Sequence, residues 1–146
     1  MAFEQGNIRI YAFTGEANLD LFYKVELGGR GIRSALTQAL VFDDTRSWLA
    51  SLQGDQLSVW DLRLGRNRLY FSASVPAGKV LTFDQTGKFL LVGTESTLQV
   101  WDVTSKRLLK EYATDSVSAL IVSPDGRLVI WGDDRGVLHL WGSAAP

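Results

Sequence analysis

The stretch TESTLQVWD, Thr94–Asp102, decides the fold because its ending recurs. LQGDQLSVWD (Leu52–Asp61) closes on Trp60, and DRGVLHLWG (Asp134–Gly142) contains Trp141. Trp60 and Trp101 are 41 positions apart; Trp101 and Trp141 are 40 apart. Upstream of each lies a second landmark, an apolar run that breaks into a polar turn. The three copies are ALVFDDTRSWLAS (Ala39–Ser51), VLTFDQTGKFLLVG (Val80–Gly93) and ALIVSPDGRLVIWG (Ala119–Gly132). Phe42 and Phe83 are again 41 apart, and Val122 follows 39 later. Two landmarks recurring at one period mark a repeat architecture.

Within a unit, apolar and β-branched runs of about five residues alternate with Asp, Gly, Ser and Thr clusters, the pattern of short strands joined by turns. In the second unit the expected strands are Val80–Phe83, Phe89–Val92, Leu98–Val103 and Leu108–Tyr112. Asp84-Gln85-Thr86-Gly87 has Asp first and Gly fourth, as a type I turn prefers; Ser123-Pro124-Asp125-Gly126 adds Pro at the second place. In the third strand, Leu98, Val100 and Val103 are expected near one face, with Gln99 and Asp102 on the other. No stretch sustains helical periodicity over three turns, so an all-β chain is predicted. The first 35 residues read as the second half of a unit. Tyr11 stands where the other copies have Trp, Leu19–Leu27 alternates as a long half-buried strand, and Gly28-Gly29-Arg30-Gly31 forms a connector. The expected boundaries are residues 1–35, 36–75, 76–115 and 116–146, the last lacking its outer strand.

These residues resemble the WD-repeat β-propeller family. Trp60-Asp61 and Trp101-Asp102 match its signature dipeptide, Trp141-Gly142 keeps only the Trp, and the spacing fits a period of ~40–45 residues. The resemblance implies four-stranded antiparallel blades standing radially around a channel. It also implies a non-catalytic scaffold that binds other proteins through its rim loops. In such blades a Gly-His pair, a strand Ser/Thr, a turn Asp and the Trp indole share hydrogen bonds. Here Ser51 and Asp55 fit the Ser and Asp roles in the first full unit. No His precedes any first strand, Val92 and Trp131 stand at the Ser place, Ser96 and Arg135 at the Asp place, and Trp101 and Trp141 lack an evident partner.

At this period 146 residues supply about 3.6 units, whereas propellers have ~4–8 blades. An arc of that length leaves an apolar face at each end and an unpaired strand edge, both liabilities in water. Completion by a longer chain, by a second copy or within another subunit are the three remedies, and a protein partner is expected in each. Two copies would have the size of a ring of seven or eight blades.

Composition narrows the function. Fifteen Lys and Arg against 16 Asp and Glu give a net charge of -1, which offers no general attraction to polyanions. The chain has no Cys and a single His, His139. Disulfides, Cys-based zinc sites and Cys nucleophiles are therefore excluded, as is any site needing two imidazoles. No catalytic residue, cofactor or metal ligand is predicted. The start, Met1–Gly6, has no basic stretch leading into an apolar run, and no 18-residue apolar window occurs, so an intracellular, cytoplasmic address is expected.

The candidate interaction residues lie in loops. Loops between second and third strands, with those between units, share one rim and carry Gln53, Asp55, Glu95, Asp133 and Asp134, together with Asp115; Lys79 and Arg135 interrupt this acidic set. Loops between third and fourth strands on the opposite rim hold Arg63, Arg66 and Arg68, then Lys106, Arg107 and Lys110. Oppositely charged rims would steer charged partners; plain solvation of turns is the simpler reading. A nucleic-acid-binding propeller using the basic rim and, less favoured, an enzyme with a channel site are the alternatives. Gly28–Arg33 has the Arg-Gly character of RNA-contacting segments but occurs once. His139 alternates with Leu138 and Leu140, without spacing that suggests a catalytic triad. Trp48, Trp131, Phe42, Phe83 and Phe89 are expected to pack between blades, and Asp43-Asp44 and Asp133-Asp134 to serve turn geometry.

Overall fold

A computed structural model of the chain describes residues 7–14, 18–26, 37–63 and 68–142, with side chains from residue 37 onward. The chain divides into two compact units, Met1–Thr37 and Gln38–Pro146. In the first, β1 (Asn7–Thr14) pairs antiparallel with β2 (Asn18–Glu26). The expected strand around Leu19–Leu27 is therefore present. The burial of its alternate face, the side chain of Tyr11 and the connector Gly28–Gly31 lie outside the described residues.

The second unit is built from three antiparallel sheets. The first contains β3 (Thr37–Asp43), β4 (Trp48–Gln53), β5 (Gln56–Asp61) and β6 (Arg68–Ser74) in sequential order. The next repeats that order with β7 (Gly78–Phe83), β8 (Phe89–Thr94), β9 (Thr97–Asp102) and β10 (Arg107–Ala113). The last has three strands, β11 (Val117–Val122), β12 (Leu128–Asp133) and β13 (Leu138–Gly142). The described residues contain no α-helix. Strand locations agree with the repeat reading to within two residues, since the turn signals that bound them are strong. Both predicted turns close as expected: Gly87 N–H donates to Asp84 O (3.1 Å) and Gly126 N–H to Ser123 O (2.8 Å), with both glycines at positive φ. At Gly87 a second reason excludes a side chain, because an added Cβ would sit 2.2 Å from Asp43 Oδ2.

Alternation along the strands gives each sheet two faces, and neighbouring sheets meet through them. One apolar cluster joins the first two sheets: Trp48, Ala50, Leu52, Leu57, Val59 and Phe71 meet Leu81, Phe83, Leu90, Val92 and Trp101. A second joins the next pair, with Leu91 and Leu98 meeting Val117 and Leu120. A bulky side chain enters a glycine hollow at each seam. Leu52 Cδ2 lies 3.0 Å from where a Cβ on Gly78 would stand, and Val117 Cγ1 lies 2.5 Å from that of Gly93. Gly78 and Val117 hold equivalent first-strand places, so the large and small partners exchange sides between seams. The three sheets are thus successive blades of a β-propeller arc.

Some side chains depart from expectation. Phe42 is 54% exposed and does not pack between sheets, whereas Phe83 in the equivalent place is buried. Val103 joins Trp101 in the first cluster and leaves the Leu98/Val100 face, because odd and even positions of a strand point oppositely.

Candidate interaction rims

Turn chemistry fixes the loops of one rim. Asp55, in the β4–β5 turn, accepts Val75 N–H at its carbonyl (2.7 Å) and Ala77 N–H at Oδ1 (3.2 Å), tying that turn to the connector entering the second sheet. The β8–β9 turn is held by Thr94 Oγ1, which accepts from Ser96 N and Thr97 N, and Glu95 N–H donates to Ala77 O. Lys79 Nζ donates to Ser116 Oγ (2.7 Å) and lies 3.7 Å from Glu95 Oε1, so it links the second sheet to the connector leading into the third. Arg135 pairs with Asp115 across the same rim.

Asp133 behaves differently from its acidic neighbours. It is buried, and its Oδ1 accepts Arg135 N–H and Val137 N–H, both at 2.9 Å, while Oδ2 lies 3.0 Å from His139 Nε2. The His139 contact, then the Val137 amide, holds this carboxyl below the ordinary Asp range against the opposing effect of burial. Asp133 therefore builds the β12–β13 turn and is not displayed on the rim; Asp134 beside it is exposed. His139 stacks on Trp131 with centroids 5.0 Å apart and planes 7° apart. This His–Asp pair is a turn-and-stack feature: every other oxygen contact of the carboxylate goes to backbone N–H groups.

On the opposite rim the expected basic set is partly neutralised. Arg63 donates through Nε and Nη2 to both oxygens of Asp61 (2.6–3.2 Å), and its guanidinium also stands 5.5 Å from the Trp48 ring centre. The Asp61 contact raises the Arg63 pKa further above its usual value. Arg68 is exposed at the start of β6, and Arg66 lies outside the described residues. Lys106 lies over the Tyr70 ring at 4.3 Å, and Tyr70 Oη donates to Thr104 O, so the rim is laced across the seam. Arg46, absent from the predicted set, reaches over the same seam from Nε to Thr86 O (3.0 Å). Its signal was a recurrent one: Arg46, Lys88 and Arg127 each occupy the turn leading into a second strand. Below this rim a cavity of about 220 Å³ is lined by Val41 to Thr45 and Thr82 to Gln85. Its Asp43 and Asp84 already accept backbone N–H groups of their own turns. Among the described residues, no group of three or more His, Cys, Asp or Glu is placed to hold a metal ion.

The tryptophans that mark the repeat have unequal surroundings. Trp101 Nε1 donates to Gln99 Oε1 (3.0 Å), and Gln99 Nε2 donates in turn to Glu111 Oε2 (2.7 Å). The sequence did carry this signal, because Gln99 lies two positions before Trp101 and shares its strand face. Trp131 Nε1 donates to Thr114 Oγ1. The pairing expected in the first unit does not form: Ser51 Oγ and Trp60 Nε1 are buried without a hydrogen-bond partner among the described residues, and Asp55 serves Ala77 instead. Trp141 is 46% exposed and meets Tyr112 edge-on at 4.7 Å. Asp102, of the second Trp-Asp pair, accepts Ser105 N–H in the turn before β10.

No protein-family model matches the chain. It is 23% identical over 107 residues to the target of rapamycin complex subunit wat1 of Schizosaccharomyces pombe, covering 70% of this chain and 34% of that protein. It is also 23% identical over 154 aligned positions to the pre-rRNA-processing protein crb3/ipi3 of the same yeast, covering 94% of this chain and 33% of the relative. The chain thus spans about a third of the length of the curated relatives it matches. No helix among the described residues is long and apolar enough to cross a membrane.

Proposed function

We propose that this chain contributes blades of the WD-repeat type, with residues 36–75, 76–115 and 116–146 as units and 1–35 as a partial one, to a non-catalytic protein-interaction scaffold inside the cell. One observation carries the reading. Turns of successive blades stand side by side on one rim, fixed by backbone bonds, and present Glu95, Asp134 and the exchangeable Lys79–Glu95 and Arg135–Asp115 pairs. Such exposed ion pairs add little to stability and leave their charges available to a partner. Two relatives named as a complex subunit and a processing protein support an assembly role and an intracellular setting. Fixed loops on a rigid scaffold are where recognition concentrates.

The test is co-purification from cells that make the protein, with recovered proteins measured by mass spectrometry. Glu95→Lys with Asp134→Lys is expected to reduce recovery of specific protein partners by about tenfold, a loss of roughly 1.4 kcal/mol of binding. Replacing Arg63 and Arg68 by Ser is expected to leave it unchanged. Recovery indifferent to the acidic changes, or a catch dispersed by ribonuclease, overturns the reading; the latter would favour the nucleic-acid alternative.

A further inference from the structure

Polar contacts that cross the first seam on the basic rim converge on one exposed residue. Thr104 lies in the β9–β10 loop, at the start of a run exposed at every position, residues 104–113. Its carbonyl accepts Tyr70 Oη–H from the first sheet (3.3 Å). Its Oγ1 stands 3.5 Å from Nη1 of Arg46, which crosses the seam from the β3–β4 turn. Arg46 Nε is fixed on Thr86 O at 3.0 Å, and its Nη2 has no acceptor among the described residues. Two residues after Thr104, Lys106 holds its ammonium 4.3 Å from the Tyr70 ring centre. Among the described residues neither Arg46 nor Lys106 is ion-paired, whereas Arg63, Lys79 and Arg135 all are. The repeat sharpens the contrast. Two positions after Asp61 stands Arg63, held by that carboxylate; two positions after Asp102 stands a hydroxyl among cations.

We propose that Thr104 is a phosphorylation site whose phosphate binds Arg46 and Lys106 and so joins the first two sheets at their basic rim. A protein kinase supplies the group from a nucleoside triphosphate. Thr104 Oγ1 bonds to the γ-phosphorus, the bond to the β,γ-bridging oxygen breaks, the nucleoside diphosphate leaves, and the hydroxyl proton passes to the kinase's base. The substrate segment is accessible, since the loop is exposed and β10 after it is the edge strand of its sheet. At 3.5 Å the guanidinium is too far from the hydroxyl for a strong hydrogen bond. A phosphoryl group carries three acceptor oxygens beyond Oγ1 and a charge of about −1.5 to −2 at pH 7. It can therefore close on the guanidinium fork at about 2.7–2.9 Å. Asp102, the nearest carboxylate in sequence, accepts Ser105 N–H through Oδ1. The inference goes beyond the scaffold reading and concerns the rim opposite Glu95 and Asp134, so either can fail alone.

The protein is purified from cells that make it, with phosphatases inhibited, and phosphate is located by mass spectrometry; it is expected on Thr104. In parallel, the whole 146-residue chain is made with phosphothreonine installed at position 104 during translation. Its thermal midpoint is expected to rise by roughly 2–4 °C over the unmodified chain. Followed by phosphorus NMR, its phosphate is expected to titrate about 0.5 pH unit below the same group in an unfolded peptide of residues 100–108. Arg46→Gln is expected to remove most of both effects and to leave the chain folded, since Arg46 is exposed. Should that variant misfold, Lys106→Gln, also at an exposed position, reads the same titration. A chain recovered without phosphate on Thr104, a phosphate on Ser105 in its place, or a phosphothreonine indifferent to both substitutions each overturns the proposal.

Discussion

Trp101 and Gln99 show what one residue contributes to a blade. An indole buried between sheets keeps its N–H only if an acceptor is buried with it, and Gln99 supplies that acceptor while donating onward to Glu111. Gln99→Leu keeps the volume and removes both bonds. It is expected to destabilise the chain by about 1–3 kcal/mol, the cost of a buried donor left without its partner, measured as a shift in the urea unfolding midpoint. A midpoint unchanged within error would show that the indole finds another acceptor. This acceptor was open to sequence reading, since alternation alone puts Gln99 beside Trp101. Ser51 was the more obvious acceptor, and it does not serve Trp60. The resemblance identified which residue types to pair, whereas side-chain rotation and seam packing decide which pairs form.

Among elements, the β12–β13 hairpin depends most directly on charge. Its turn is organised by the Asp133 carboxylate, which accepts from two backbone amides and faces His139; the Arg135 side chain above it is paired with Asp115. The Asp133 pKa is lowered in the folded chain, so the unfolded state binds the proton more tightly. Stability from this contact is present above the unfolded carboxylate value of about 3.9 and is lost as pH falls through the lower folded value. Asp125, lowered by Ser123 Oγ–H and Arg127 N–H, acts in the same direction in the preceding turn. Asp133→Asn is therefore expected to be less stable at pH 6 and to lose less on acidification, giving a shallower fall in urea midpoint between pH 6 and 3. An acid limb as steep as the native one would remove Asp133 from this role. Strands and turns were the most legible part of the sequence, because Asp-x-x-Gly turns and period-two alternation are local. Contacts such as Arg46 to Thr86, some 40 positions apart, follow only once the seams are formed.

For the whole molecule, the repeat period carries furthest. A 41-residue spacing of Trp60 and Trp101 foretold equivalent sheets, and the sheets stack with apolar faces meeting at the two seams between them. Rim charge was less legible. Asp133 is turned inward and Arg63 is held by Asp61, because residue type does not reveal which charges a fold uses for its own turns. The central claim is that β4, β5, β8 and β9 lie inside a stack of blades while β10 lies at its outside. Native-state amide hydrogen exchange tests it most directly, because protection follows the free energy of opening. The slowest amides are expected in β5 and β9, with those of β10 exchanging markedly faster. Equal protection of β9 and β10, or fast exchange throughout β5, would contradict the stacked-blade account.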